Sequence, residues 1–245
     1  MIRFANPTRF LALASRLIPF LAVASTVLIA AGVYAAFFVA PADYQQGETV
    51  RIMYIHVPSA WLSMGCYSLM ALSALGTLIW RHPLADVSAK ALLPIGMAFT
   101  FICLVTGAFW GRPMWGTWWV WDARLTSELI LFFLYLGYIA LTSAIDDVRR
   151  ADRAGALIAI VGAINVPIIY FSVKWWNTLH QGASVSLTRS PSMAQLMLWG
   201  MLLMALAMWV YTLAIVCYRV RTLIIERERH TDWVQALPEV AGAKA

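Results

Sequence analysis

The run LIPFLAVASTVLIAAGVYAAFFV, Leu17 to Val39, carries no charged residue, and Arg3, Arg9 and Arg16 precede it. Basic residues before an apolar stretch also open a secretory leader, but a leader's apolar stretch is only about 7–15 residues long. This run matches the roughly 20 residues that cross about 30 Å of hydrocarbon as a helix. It reads as a retained first span. Lipid offers the backbone no hydrogen-bond partner, so an isolated crossing segment closes its bonds internally as a helix.

Five further stretches obey the same rule. The expected spans are residues 17–39, 58–80, 91–111, 125–145, 154–173 and 194–217. Composition agrees, since 62% of the 245 residues are hydrophobic and 12% are charged, against about 25% charged in a soluble domain. The expected fold is an all-α integral membrane protein, with residues 1–245 as a single membrane domain. Neither an internal repeat nor a low-complexity linker divides it.

Lys and Arg set the orientation. Of 18 such residues, Arg51, Arg112, Arg124, Lys174 and Arg189 fall in three loops, and the other thirteen fall in the alternate loops and the two ends. Basic residues concentrate on the cytoplasmic side. Both termini are therefore expected in the cytoplasm, and the formal charge of +6 needs no nucleic acid to account for it. Cys66, Cys103 and Cys217 form no CxxC or CxxCH, and no phosphate-binding GxxxxGK[ST] loop is present. Zinc, a redox dithiol and a covalent c-type haem are not suggested, and an ATP-driven step would belong to a partner.

Three loops meet the outer face in this topology. One lies between spans three and four, residues 112–124, and reads RPMWGTWWVWDAR. Five of the chain's 12 tryptophans fall between residues 110 and 121. Interfacial belts place tryptophan at both membrane surfaces, whereas nine of these twelve lie toward one side. His56, in YIHVPSAW just before span two, and His180, in KWWNTLHQGAS, share that side. Indole faces suit a large planar apolar ligand, and two imidazoles supply axial donors to a haem iron. Singly, each histidine reads as an ordinary loop residue; together beside the tryptophans they suggest haem. Arg51, Arg112, Arg124, Lys174 and Arg189 are candidate contacts to its propionates, arginine being able to make two parallel hydrogen bonds.

Other residues read structurally. Asp122 precedes an apolar run and suits the N-cap of the fourth helix, with contact to a ligand or partner as its second reading. Arg124 and Glu128 stand four apart and can pair. Pro58 suits the first turn of span two. Pro167, two residues after Asn165, predicts a kink in span five.

The segments APADYQQG, YIHVPSAW, GRPMWGTWWVWDARLTSEL and WWNTLHQG resemble the haem exporter protein C family, CcmC, of the bacterial cytochrome c maturation system, within the wider WWD-domain haem-handling proteins. The resemblance covers nearly the whole chain. It implies a multi-pass protein of the bacterial inner membrane that holds haem b at its periplasmic face. By motif match the axial ligands would be His56 and His180, over a WWD loop containing Trp115, Gly116, Trp118, Trp119, Trp121 and Asp122. The resemblance also implies delivery of haem to the periplasmic chaperone CcmE. The CcmA ATPase, the CcmB membrane subunit and the small single-span protein CcmD are its implied partners, besides membrane lipid.

Delivery without turnover is the reading taken, not enzymatic catalysis. A haem lyase-like enzyme would show a catalytic base or a further redox group at the site. An ABC-type permease subunit would show a polar path across the bilayer, and a membrane scaffold would bind no chromophore. Ligation from loops, rather than from helix centres, is expected, because it eases release.

Overall fold

The computed structural model describes residues 6–180, 182, 185 and 190–237, and these are helical without a single β-strand. The helices are α1 (Pro7–Tyr34), α2 (Met53–Trp80), α3 (Ala85–Trp115), α4 (Ala123–Ser143), α5 (Val148–Gly162), α6 (Asn165–Trp175), α7 (Gln195–Arg227) and the short α8 (Asp232–Gln235). A π turn extends α1 through Val39, and a 3-10 turn, Glu48–Ile52, leads into α2. Six helical segments are long and apolar enough to cross a membrane, with α5 and α6 together making the fifth. Arg189 lies outside the described residues.

Local chemistry sets several helix ends. Asn6 Oδ1 accepts from the Thr8 amide at 2.9 Å, with Pro7 opening α1, where its missing N–H costs nothing. Asp147 caps α5 through the Arg150 amide at 2.7 Å. Gly116 ends α3 in the left-handed region, φ 77°, which glycine enters without a Cβ clash.

Two helices differ from the expected placement in ways that matter below. The helix α2 begins at Met53, so His56 is helical and Pro58 falls inside the helix rather than in its first turn. Its ring removes the helical donor to the Tyr54 carbonyl. The helix α3 runs on to Trp115, so Arg112 and Trp115 are also helical and the connecting loop shortens to residues 116–122. Near Pro167 the helix is interrupted. Helix α5 stops at Gly162 and α6 restarts at Asn165, with Ala163 and Ile164 still right-handed; proline cannot donate to the Ala163 carbonyl, which accepts from the Val166 amide at 3.1 Å instead.

The core lies among α2, α3, α4, α5 and α7. Tyr67, Tyr135, Met70, Leu131, Ile169 and Met201 are fully buried there. Tyr135 donates to the Ser63 carbonyl at 2.9 Å and meets Tyr67 edge-on, with ring centroids 5.0 Å apart. Gly96 on α3 makes room for Tyr135: a Cβ there would overlap its ring and hydroxyl. Small residues let helices approach closely where lipid removes the hydrophobic drive. At one end of the bundle Leu11, Leu84, Val87, Val220 and Ile224 form a separate cluster. The starts of α2 and α4 and the ends of α3 and α6 lie at the other end.

Gly96→Ala is expected to destabilise the protein by about 1–3 kcal/mol, the usual cost of overpacking. A lower melting temperature in detergent would show it; an unchanged one would mean that Tyr135 moves aside freely.

Candidate functional site

Five segments converge on one small cavity at the end of the bundle where α2 and α4 begin. It is lined by His56 from α2, Cys103, Leu104, Gly107 and Trp115 from α3, and Trp119 from the loop. Arg124, Leu125 and Glu128 of α4 and His180, beyond α6, complete it. His56 and His180 are 124 residues apart in sequence, and tertiary packing alone brings them together.

The Nδ1 of each histidine faces an oxygen. His56 Nδ1 lies 3.1 Å from Thr106 Oγ1. His180 Nδ1 faces Asp122 Oδ2 at 3.5 Å, and its backbone amide donates to Thr178 Oγ1 at 3.2 Å. The two atoms approach without forming a hydrogen bond, since each is buried with no hydrogen-bond partner. Burial, followed by the Arg124 charge, holds the His180 pKa below its ordinary value, although Asp122 opposes this. The neutral, ligating form of the ring is thereby favoured.

Asp122 is the N-cap of α4. Its Oδ1 accepts from the Leu125 amide at 2.8 Å, while Oδ2 faces His180, a neighbour that the sequence did not suggest.

The tryptophans are arranged edge-on rather than as one flat shelf. Trp115 meets His180 with centroids 4.9 Å apart, and Trp119 meets Trp121 at 77°. Trp118 turns to Phe109 at 84°. Trp115 and Trp119 line the cavity, whereas Trp118 and Trp121 are exposed. Trp119 Nε1 is buried without a hydrogen-bond partner, an uncommon state for a buried donor.

The five candidate cations part company. Arg124 lines the cavity and donates to the Ile169 carbonyl at 3.2 Å. Arg51 bonds the Ala36 and Ala40 carbonyls and pairs with Glu48, closing the end of α1. Arg112 donates to the Gly116 carbonyl. Lys174 sits 5.7 Å above the Phe171 ring. Arg189 is not among the described residues. Glu128 does not pair with Arg124 as its spacing suggested; it accepts from Ser63 Oγ at 2.7 Å, across the interface with α2.

Thr106, Trp110 and Gln46 belong to the surroundings of the site; Trp110 was counted in the tryptophan cluster and Gln46 lies in APADYQQG, but Thr106 was not singled out in the sequence. Trp110 meets His56 edge-on at 5.6 Å and donates to Gln46 Oε1 at 2.9 Å. No local spacing signals these contacts, since Thr106 and His56 are 50 residues apart.

The family model described as "Heme exporter protein C" matches residues 1–235. The chain belongs to the heme exporter protein C family. It is 60% identical over 207 residues to a protein of that name from Bradyrhizobium diazoefficiens, covering 84% of this chain and 78% of the relative. It is 47% identical over 243 residues to one from Escherichia coli, covering 99% and 98%. A relative from Marchantia polymorpha, named a putative cytochrome c biosynthesis ccmC-like mitochondrial protein, is 52% identical over 159 residues, covering 65% and 67%.

The donor set suits an iron already held by a macrocycle. Among the described residues no three His, Cys, Asp or Glu side chains group as a metal site, but two imidazoles suffice as axial ligands when a porphyrin supplies the rest. The space does not suit it in this conformation. The cavity is about 40 Å³, room for a few water molecules and too small for a porphyrin.

Asp122→Asn keeps an oxygen to cap α4 but places an amide where His180 needs an acceptor. It should leave thermal stability nearly unchanged and weaken haem retention about tenfold or more, the usual cost of losing a partner behind a ligand. Asp122→Ala should lose both functions, with a further cost of about 1 kcal/mol in stability from the missing cap. Equal haem retention in Asp122→Asn and the unaltered protein would remove Asp122 from the ligand set.

Proposed function

We propose that this chain holds haem b at the periplasmic face of the bacterial inner membrane and delivers it to the chaperone CcmE. In this reading it acts as a haem-delivery protein without turnover, in a complex with CcmA, CcmB and CcmD. The observation that carries the reading is the convergence of His56 and His180 on one cavity. Names given to its relatives agree with it. The distribution of Lys and Arg supports a periplasmic position for the cavity.

His56 and His180 would supply axial nitrogens, with Trp115 and Trp119 against the porphyrin. Arg124 and the unpartnered Trp119 Nε1 are the polar groups nearest to serve its propionates. Trp118 and Trp121, exposed at the rim, offer apolar surface to an incoming partner. The two ligands differ in support. His56 is fixed on a helix, whereas His180 sits on a loop, so the expectation of two loop ligands holds only for His180. Release would begin most readily from the loop side.

Purified protein should show a Soret band that shifts or disappears in both His56→Ala and His180→Ala; unchanged bands in both would end the assignment. Loaded protein mixed with CcmE should lose its haem to the chaperone, and a haem that never leaves would contradict delivery. Acid should displace haem by protonating the imidazoles. Because His180 is held below its ordinary pKa, its neutral form persists to lower pH. Arg124→Gln removes one cause of that depression, so haem loss should begin at a higher pH in this variant. An unaltered or lowered release pH would contradict the Arg124 contribution.

A further inference from the structure

His56 rests in a socket built by one face of α3. Thr106 meets the ring at Nδ1, 3.1 Å away. Gly107 supplies the floor: a Cβ at that position would stand 3.0 Å from His56 Cε1, 3.6 Å from Nδ1 and 4.0 Å from Nε2. Trp110 closes one side, edge-on at 5.6 Å and 79°, and is itself anchored to Gln46. Positions 106, 107 and 110 fall on one helix face by their spacing.

The hydroxyl decides the tautomer. Thr106 Oγ1 lies 2.6 Å from the Ile102 carbonyl, which can only accept, so the hydroxyl proton points there. Toward His56 the oxygen then presents lone pairs. The proton of the neutral imidazole must therefore sit on Nδ1, and Nε2 is left bare. The same chain of donation, run in reverse, would require Thr106 to release Ile102 and donate to the ring, leaving Nε2 protonated and unable to ligate.

We infer that Thr106 is a positioning residue that fixes the ligating tautomer of His56, with Gly107 and Trp110 holding the ring at the required angle. The inference rests on the proposed haem site and assigns the residue that prepares one of its ligands. It also makes the two ligands unequal. His180 is backed by a carboxylate and His56 by a neutral hydroxyl. A hydrogen bond from the distal N–H of an imidazole raises its basicity as a ligand. Removing it from His56 should weaken the ligand and favour reduced over oxidised iron.

The test compares Thr106→Val, which keeps the shape and loses the hydroxyl, with Thr106→Ser, which keeps the hydroxyl, in the full-length protein loaded with haem. In Thr106→Val, haem affinity should fall about tenfold or more, and the midpoint potential should rise. Thr106→Ser should keep both near the unaltered values. Gly107→Ala should disturb the spectrum with the hydroxyl still present, because the added carbon presses on Cε1. A Val variant with unchanged affinity and potential, or a Ser variant that behaves like Val, would overturn the inference. If Thr106→Val does not accumulate in the membrane, Thr106→Ala against Thr106→Ser makes the same comparison. The underlying haem site is tested separately by His56→Ala. If that variant keeps the unaltered spectrum, the site itself is wrong, whereas a normal response there with a silent Thr106→Val removes the tautomer role alone.

Discussion

Hydrogen bonds between helices tie together the end of the bundle that carries the cavity, in a setting where lipid offers no replacement partner. Tyr135 of α4 donates to the Ser63 carbonyl of α2, and Ser63 Oγ donates to Glu128 of α4. Asn165 Nδ2 donates to the Ser127 carbonyl at 2.8 Å, and Arg124 reaches the Ile169 carbonyl. These four bonds link α2 to α4 and α4 to α6. Each joins a group that would cost several kcal/mol if left unpaired in hydrocarbon. The relative depth of the three helices is therefore set by polar matching as much as by apolar packing, which is only weakly directional among lipid tails.

The site inherits its geometry from that arrangement. His56 is carried by α2, and Arg124 with Asp122 by the start of α4. His180, beyond the end of α6, reaches the same point. Asp122 joins two levels of structure, since one oxygen starts a helix and the other orients a histidine. Helix α3 contributes the socket of His56. Helices α2, α3 and α4 supply most of the cavity lining, and Trp119 and His180 the rest.

Much of this was legible in the sequence. Apolar length located six crossing segments, because lipid thickness imposes a length that composition cannot disguise. The tryptophan cluster and the pair of histidines pointed to one end of the molecule. Helix boundaries near the site were less legible. Periodicity does not say where a helix leaves the membrane, so Arg112 and Trp115 read as loop and His56 as preceding its helix. The pairing of Arg124 with Glu128, reasonable from spacing, yields to partners on α2 and α6 that no sequence window contains. Thr106 lies in no quoted motif, being an ordinary residue whose importance comes from what folds against it. The tryptophans make edge-on contacts, as the ring quadrupoles favour.

The central claim is that His56 and His180 bind one haem from opposite faces. Low-temperature electron paramagnetic resonance of the oxidised, haem-loaded protein tests it most directly. A low-spin signal characteristic of two imidazole ligands, converting to a different ligation state in each single histidine variant, is the predicted result. A high-spin signal in the unaltered protein, or a low-spin signal that survives the loss of either histidine, would contradict the claim.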